Sequence, residues 1–271
     1  MTIHLVTFAN TEYMGVDRIH SAAKLFDIFA TISCWNEHHI SEFIEKYQNH
    51  FTQFKNRGFG LWMWKPYIIL KKMSQIEDGE CLLYIDAGSH LNINGKKKFK
   101  QYLELLRDEN NQVIAWQTND NYKGKFYVKA DCVYEYFPEY YDLNFTAYYA
   151  GALLLKKSDF TQRLIKEWLA LCENTNFLDP SNSMTYPDPS FYKGQDADNG
   201  LLNLVLGKYI TQHERVGKII SIYPDEVSLY HGNGRQLIHE VGYDLFLQAD
   251  WTGLNASPIQ FRRERPISKI V

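Results

Sequence analysis

The sequence predicts an α/β domain with a mostly parallel central sheet flanked by helices, and three observations carry that prediction. Cys81 to Ile85 is a run of apolar and aromatic residues bounded by Asp78-Gly79 before and Ala87-Gly88-Ser89 after, the pattern of a short strand buried on both faces. The opening of the chain alternates strand-like and helix-like stretches, which implies a right-handed parallel crossover. The run at 81–85 then stops at a lone carboxylate, Asp86, and ligands of open α/β sheets collect at the carboxyl ends of such strands.

In chain order, Ile3 to Ala9 reads as a first strand ending at Asn10-Thr11. Val16, Ile19, Ala22, Ala23 and Phe26 fall at helical spacing over residues 16–27. A second strand is expected over Ile28 to Cys34. Ser41 then opens an amphipathic helix carrying Phe43, Ile44 and Tyr47, with Ser41 as its N-cap. Residues 57–66 form a glycine-aromatic loop ending in Trp64-Lys65-Pro66, and Pro66 suits the first turn of a helix that Tyr67 to Met73 continue. Lys96-Lys97-Lys98 with Lys100 reads as a solvated helix start, because Phe99, Tyr102, Leu103 and Leu106 supply an inner face.

Val113 to Thr118 is a further strand. Residues 119–145 lack periodicity and read as a long loop or a short antiparallel excursion. Tyr148 to Leu155 is a strand interrupted by Ala150-Gly151, and Asp159 to Cys172 a helix. Pro180, Pro187 and Pro189 mark residues 175–193 as a loop. Asp198 to Leu206 is helical, Ile219 to Tyr223 a strand, and His231-Gly232-Asn233-Gly234-Arg235 a tight turn. The tail, with Arg262, Arg263, Arg265 and Lys269, is basic and expected to fray.

Composition narrows the function classes. The 271 residues carry a net charge of -3, which gives no bulk electrostatic case for nucleic-acid binding. Aromatic residues reach 15%, a weak pointer to flat rings that meet sugar faces. No apolar stretch approaches a membrane span of about 18 residues. Met1 to Thr7 lacks the basic and apolar parts of a secretory leader. Cys34, Cys81, Cys132 and Cys172 are far apart with no CxxC spacing, so neither zinc nor a disulfide framework is indicated. A cytoplasmic location is expected.

The residues that can carry chemistry fit one task. Asp86 offers a hard oxygen ligand for Mn²⁺ or Mg²⁺, and Gly88 removes a side chain where a ligand would approach backbone. His231 can add an imidazole to the same cation. Lys65 and Arg235 can neutralise a diphosphate. Gln195-Asp196-Ala197-Asp198 places carboxylates at a helix start, where they accept sugar hydroxyls, act as a base, or simply cap the helix. Trp62 reads more readily as packing than as a sugar platform; Trp64 is expected to touch donor or acceptor.

Taken in order, these pieces resemble the A-type glycosyltransferase fold, the nucleotide-diphospho-sugar transferase superfamily. The segment Gly58-Phe59-Gly60-Leu61-Trp62-Met63-Trp64-Lys65-Pro66 followed by Asp86-Ala87-Gly88 looks like a bacterial and viral branch of it. The resemblance spans roughly residues 3 to 235. It implies a single Rossmann-like domain over 1–271, with a nucleotide-binding half at about 1–90, an acceptor and sugar half at about 91–240 and a C-terminal extension at about 241–271. It implies transfer from a nucleotide-diphosphate donor, expected to be a UDP-sugar, to a glycan, glycolipid or protein-linked acceptor, with Mn²⁺ or Mg²⁺.

By position, the resemblance implies that Thr7, Phe8, Ala9, Asn10 and Arg18 hold the donor's base and ribose. Lys65 would meet donor phosphate or sugar. Asp86, with Ala87 and Gly88, matches the DxD motif, and Asp86 would bind metal and ribose. Ala150 and Gly151 would line the sugar pocket. Asp196 would face transferred sugar or acceptor, with Asp196 or Asp198 as the base in inverting relatives. His231 matches a late metal ligand and Arg235 a phosphate-binding cation. This chain departs at Gly88, where the second DxD carboxylate stands in the family, and at Gly194, which begins the element that opens with Asp elsewhere.

Two other readings remain. A catalytically silent sugar-binding module would keep the fold without turnover. A nucleotidyltransferase would want a glycine-rich loop bearing Arg and Lys straight after the first strand, where Asn10-Thr11-Glu12-Tyr13 stand. Contact of the basic tail with a membrane surface is a further expectation.

Overall fold

The structure, a computed structural model, describes residues 1–13, 16–118, 121–212, 219–222 and 259–260. β1 (Ile3–Phe8) leads through α1 (Val16–Phe26) to β2 (Thr31–Trp35). Then come α2 (Ser41–Lys46), α3 (Gln48–Gln53), the short α4 (Gly58–Leu61) and α5 (Trp64–Met73), which delivers the chain to β3 (Cys81–Ile85). β4 (His90–Leu91), α6 (Lys96–Leu105), β5 (Val113–Gln117) and α7 (Ala130–Tyr136) follow. The remainder comprises β6 (Tyr148–Lys156), α8 (Asp159–Glu173), α9 (Thr175–Leu178), α10 (Ala197–Gln212), β7 (Ile219–Ile222) and β8 (Ile259–Gln260).

The main sheet runs β2-β1-β3-β6-β5-β7. β6 pairs antiparallel with both β3 and β5, while the other pairings are parallel. Within this sheet all the described strands but β6 therefore point the same way. Alternate residues feed two cores. Val6, Phe8, Leu82, Tyr84, Leu153 and Leu155 face one side, packed with residues of α5, α8 and α10. Leu5, Leu83, Ile85, Ile114, Ala152 and Leu154 face the other, packed with α1 and α6. A sheet covered on both faces explains why β3 reads as an unbroken apolar run.

Order matters for function. From β1 the chain moves outward to β2, then returns across β1 to β3. In doubly wound sheets the carboxyl ends at such a switch point bound the crevice that takes ligands. Asn10 and Asp86 stand at its two sides.

Several local expectations are corrected. β2 begins at Thr31, after Asp27 turns the chain at φ 49°. The cap near Ser41 belongs to Asn36, whose side chain accepts from His38 N at 3.2 Å and closes a capping box on the preceding 3-10 turn; Ser41 starts α2 without a side-chain cap. Residues 121–145 hold α7 and two 3-10 turns, Gly124–Tyr127 and Pro138–Asp142. Part of the C-terminal extension is ordered into the fold, since β8 pairs antiparallel with β4 just beyond Asp86. No helix among the described residues is long and apolar enough to cross a membrane.

Candidate active site

Asp86 leaves β3 at the crevice, and its neighbours define the site. The Tyr84 hydroxyl, two residues back on the same face of the strand, donates to Asp86 Oδ1 at 2.5 Å. Lys65 Nζ lies 3.3 Å from the same oxygen. That ammonium also sits 3.0 Å from Asp198 Oδ2 and donates to Ala150 O at 3.4 Å. Lys65 and Asp198 are only 4% and 3% exposed. Burial alone would push the lysine down, but Asp198 and Asp86 outweigh it and hold the ammonium above its usual range. Burial pushes the Asp198 carboxyl up to about 7 against the pull of Lys65, with Asp86 and Asp196 adding like-charge repulsion. Three carboxylates and one lysine thus form a single electrostatic unit.

Asp196 is the more accessible of the pair at the start of α10. Its Oδ2 accepts from the Tyr122 hydroxyl at 2.6 Å and from Asn199 Nδ2 at 2.7 Å. Ala197 then takes φ 37°, which turns the chain into α10 and sends Asp198 inward. The same helix is stitched to β6 by amides one turn apart. Asn199 Oδ1 accepts from Ala150 N at 2.7 Å, and Asn203 accepts from Tyr148 N at 2.7 Å while donating to Tyr148 O at 2.9 Å. Asp86 N donates to Gly151 O at 2.8 Å, so the β3–β6 pairing places Ala150 and Gly151 beside Asp86.

The glycine-aromatic loop is a left-handed turn. Gly58, Phe59, Gly60, Leu61 and Trp62 have φ of 61°, 48°, 80°, 54° and 59°. Each non-glycine in this region costs about 1–2 kcal/mol, so the surroundings must impose it. Trp64 Nε1 donates to Gly58 O at 3.1 Å, and Gly60 packs so close that a Cβ there would come 2.7 Å from the Phe51 ring. The turn sets Trp62, half-buried, with its ring centroid 5.8 Å from Lys65 Nζ.

Several expected site residues stand elsewhere. Trp64 is 5% exposed, with its ring 4.1 Å from that of Phe8; it and Phe8 are core, and the expectation that Trp64 meets the donor is corrected. Trp64→Ala is accordingly expected to lose about 3–5 kcal/mol of stability, read as a lower urea midpoint. Thr7 is fully buried within β1, leaving Ala9 and Asn10 nearer the crevice. Arg18 donates to Ala87 O at 2.8 Å and Ser89 O at 2.9 Å, so it clamps the Asp86 loop from α1. Lys65, shared by two carboxylates inside the protein, is not a free cation awaiting phosphate. Asp198 lies inside the protein against that ammonium, whereas Asp196 stays partly exposed.

His231 and Arg235 lie outside the described residues. Among the described residues no group of three His, Cys, Asp or Glu side chains can hold a metal. Asp86 offers one carboxylate that is already bonded to an ammonium. These residues do not make a metal site by themselves. Two cavities of about 430 and 310 Å³ are lined by other segments, residues 45–54 with 175–179 and residues 129–131 with 176–184.

The raised Asp198 carboxyl has a pH signature. The folded form holds its proton more tightly than the unfolded chain, so the native state binds more protons between about pH 4 and pH 7. This group's contribution to stability therefore falls as pH rises through that window and is constant above it. Asp198→Asn removes the titration. Its melting temperature relative to the parent is expected to climb from about pH 4 to pH 7 and then level off.

No family model matches the chain, and no curated protein sequence matches it. Among solved structures, it is similar to a glycosyltransferase involved in glycosylation of the major capsid of PBCV-1, at 10% identity, covering 96% of this chain and 92% of that one, with a TM-score of 0.46. It is similar to mouse xyloside xylosyltransferase 1, at 9% identity over 98% and 96% of the two chains, TM-score 0.42. A third is the galactosyltransferase LgtC in complex with donor and acceptor sugar analogs, at 12% identity over 96% and 87%, TM-score 0.40.

Proposed function

We infer that the chain is a glycosyltransferase that moves a sugar from a nucleoside-diphosphate donor, a UDP-sugar by preference, to a glycan or glycoconjugate hydroxyl. The observation that carries this reading is the convergence of Asp86, Lys65, Asp198 and Asp196 where the β1–β3 crevice meets Ala150-Gly151. A buried lysine locking two carboxylates is stability given up for geometry, and perturbed groups of this kind cluster at functional sites.

In this reading the acceptor oxygen bonds to the anomeric carbon as the bond to the β-phosphate oxygen breaks, and the nucleoside diphosphate leaves with the electron pair. Asp196, oriented by Tyr122 and Asn199, faces the sugar and stabilises its developing positive charge or takes the acceptor proton. Asp86 orients the donor at the strand end. Lys65 and Asp198 are positioning residues that fix Asp86. Arg18 holds the loop backbone around Ala87. A divalent cation remains an expectation resting on Asp86 and His231, and no step is routed through it.

Thermal-shift measurements with UDP-, GDP-, CDP- and dTDP-sugars, each with and without Mn²⁺, test the reading, since a ligand that binds the native state raises the melting temperature. Stabilisation by a nucleotide-sugar in the parent and its loss in Asp86→Asn is expected. No shift with any donor, with or without metal, removes the proposal.

A further inference from the structure

A chain of aromatic rings leads away from Asp196. Tyr122, whose hydroxyl holds that carboxylate, stacks on Tyr127 at 3.9 Å and 8°. Tyr127 meets Phe126 at 6.4 Å, and Phe126 meets Phe191 at 6.1 Å. From Phe191 the path continues to Tyr141 at 5.4 Å, Tyr134 at 6.0 Å and Tyr186 at 4.9 Å. The rings near Asp196 are half-buried, whereas Tyr134 and Tyr186 are 45% and 39% exposed at the far end. Two ammonium groups edge the path, Lys125 over Phe191 at 5.5 Å and Lys193 over Phe126 at 4.5 Å.

The outer end is built, not draped. Asp131 at the start of α7 accepts from the backbone N–H groups of Met184, Thr185 and Tyr186 at 2.7, 3.0 and 2.8 Å. Burial would push its carboxyl up, but these donors outweigh it and hold it below the usual carboxylate range. Asp188 completes the clasp, accepting from Ala130 N and Ser183 Oγ at 2.8 and 2.7 Å. Residues 183–188, within the stretch expected to be a loop, are therefore tied to α7, and they hold Tyr186 at the surface. Holding exposed aromatic rings rigid lowers the entropy lost on binding, and exposed apolar surface continuous with a site marks an interaction surface.

We propose that this strip is an acceptor-binding platform for a carbohydrate chain of several sugar units, running from Asp196 to Tyr186. It rests on the transferase reading and adds the class of acceptor. Beyond the Tyr122–Tyr127 stack, successive ring centroids lie 4.9 to 6.4 Å apart, a spacing comparable to one pyranose. A pyranose presents an apolar C–H face to an aromatic ring and a rim of hydroxyls to neighbouring donors, here tyrosine hydroxyls and the two lysines. A small acceptor would need only the Asp196 end.

The test uses the full chain and a Tyr134→Ser/Tyr186→Ser variant, both sites being exposed and remote from the carboxylate cluster. Affinity electrophoresis in native gels containing a soluble glucan, xylan, mannan or polygalacturonate reads chain binding, and nucleotide-sugar thermal shift reads the donor site. At least one polysaccharide is expected to retard the parent, with affinity at least tenfold weaker in the variant and donor shifts unchanged. Equal retardation of both proteins, or none of the parent, overturns the platform even if donors bind. Retardation that the variant loses, without any donor shift, supports the platform and removes the transferase reading. Concentration-dependent dimerisation lost in the variant, seen by sedimentation, overturns the proposal by giving the strip to a second copy.

Discussion

Lys65→Met is expected to remove about 3–5 kcal/mol of folding stability, the range for deleting one partner of a buried ion pair. The ammonium lies within 3.3 Å of Asp86 and 3.0 Å of Asp198, and methionine fills its volume while leaving two carboxylates without their cation. The loss depends on pH. Lys65 is the main influence pulling the Asp198 carboxyl down against burial, so without it Asp198 holds its proton to still higher pH. A protonated Asp198 relieves the uncompensated charge. Stability of the variant should therefore fall more steeply with rising pH than that of the parent, and urea unfolding at pH 5 and pH 8 reads the difference. If Lys65 served only as a phosphate cation facing solvent, methionine would leave the unfolding midpoint unchanged at both values.

Asp86→Asn is expected to cut transfer by at least about a hundredfold, as loss of one preorganised electrostatic group typically does, while the fold survives. The amide still accepts from Tyr84, and Lys65 keeps Asp198. The check is release of nucleoside diphosphate during transfer, measured beside the melting temperature of each protein. Parental turnover in the variant would separate Asp86 from the chemistry and leave the polar cluster as a structural feature.

The architecture was legible because its signals were local. A five-residue apolar run bounded by Asp78-Gly79 and Ala87-Gly88-Ser89 reads as a strand with both faces covered, and Asp86 follows it at the carboxyl end. Lys65, Asp196 and Asp198 were legible as candidates, but their division of labour was not. Nothing in the order Gln195-Asp196-Ala197-Asp198 states that Ala197 takes a positive φ and turns the second carboxylate into the core. Trp64 was misread for a similar reason, whereas Trp62 packs against the core as expected. Two residues apart in a helix they would point to different faces in a foreseeable way, whereas the left-handed turn at 58–62 resets the direction of the first. Tyr122 was hidden because its partner lies far along the chain at Asp196. Tyr84 had a readable signal, the two-residue period that puts it on the face of Asp86. The rigidity of residues 183–188 was invisible, since prolines and small polar residues signal a loop equally well whether or not Asp131 and Asp188 pin it.

In the proposed function a nucleoside diphosphate lies in the β1–β3 crevice against Asp86. An X-ray structure of crystals soaked with UDP and Mn²⁺ tests it most directly. Diphosphate density is expected beside Asp86 and the Ala87-Gly88 backbone, with the uracil toward Ala9 and Asn10. UDP seated in the cavity lined by residues 45–54, with Asp86 touched only by Tyr84 and Lys65, would contradict it.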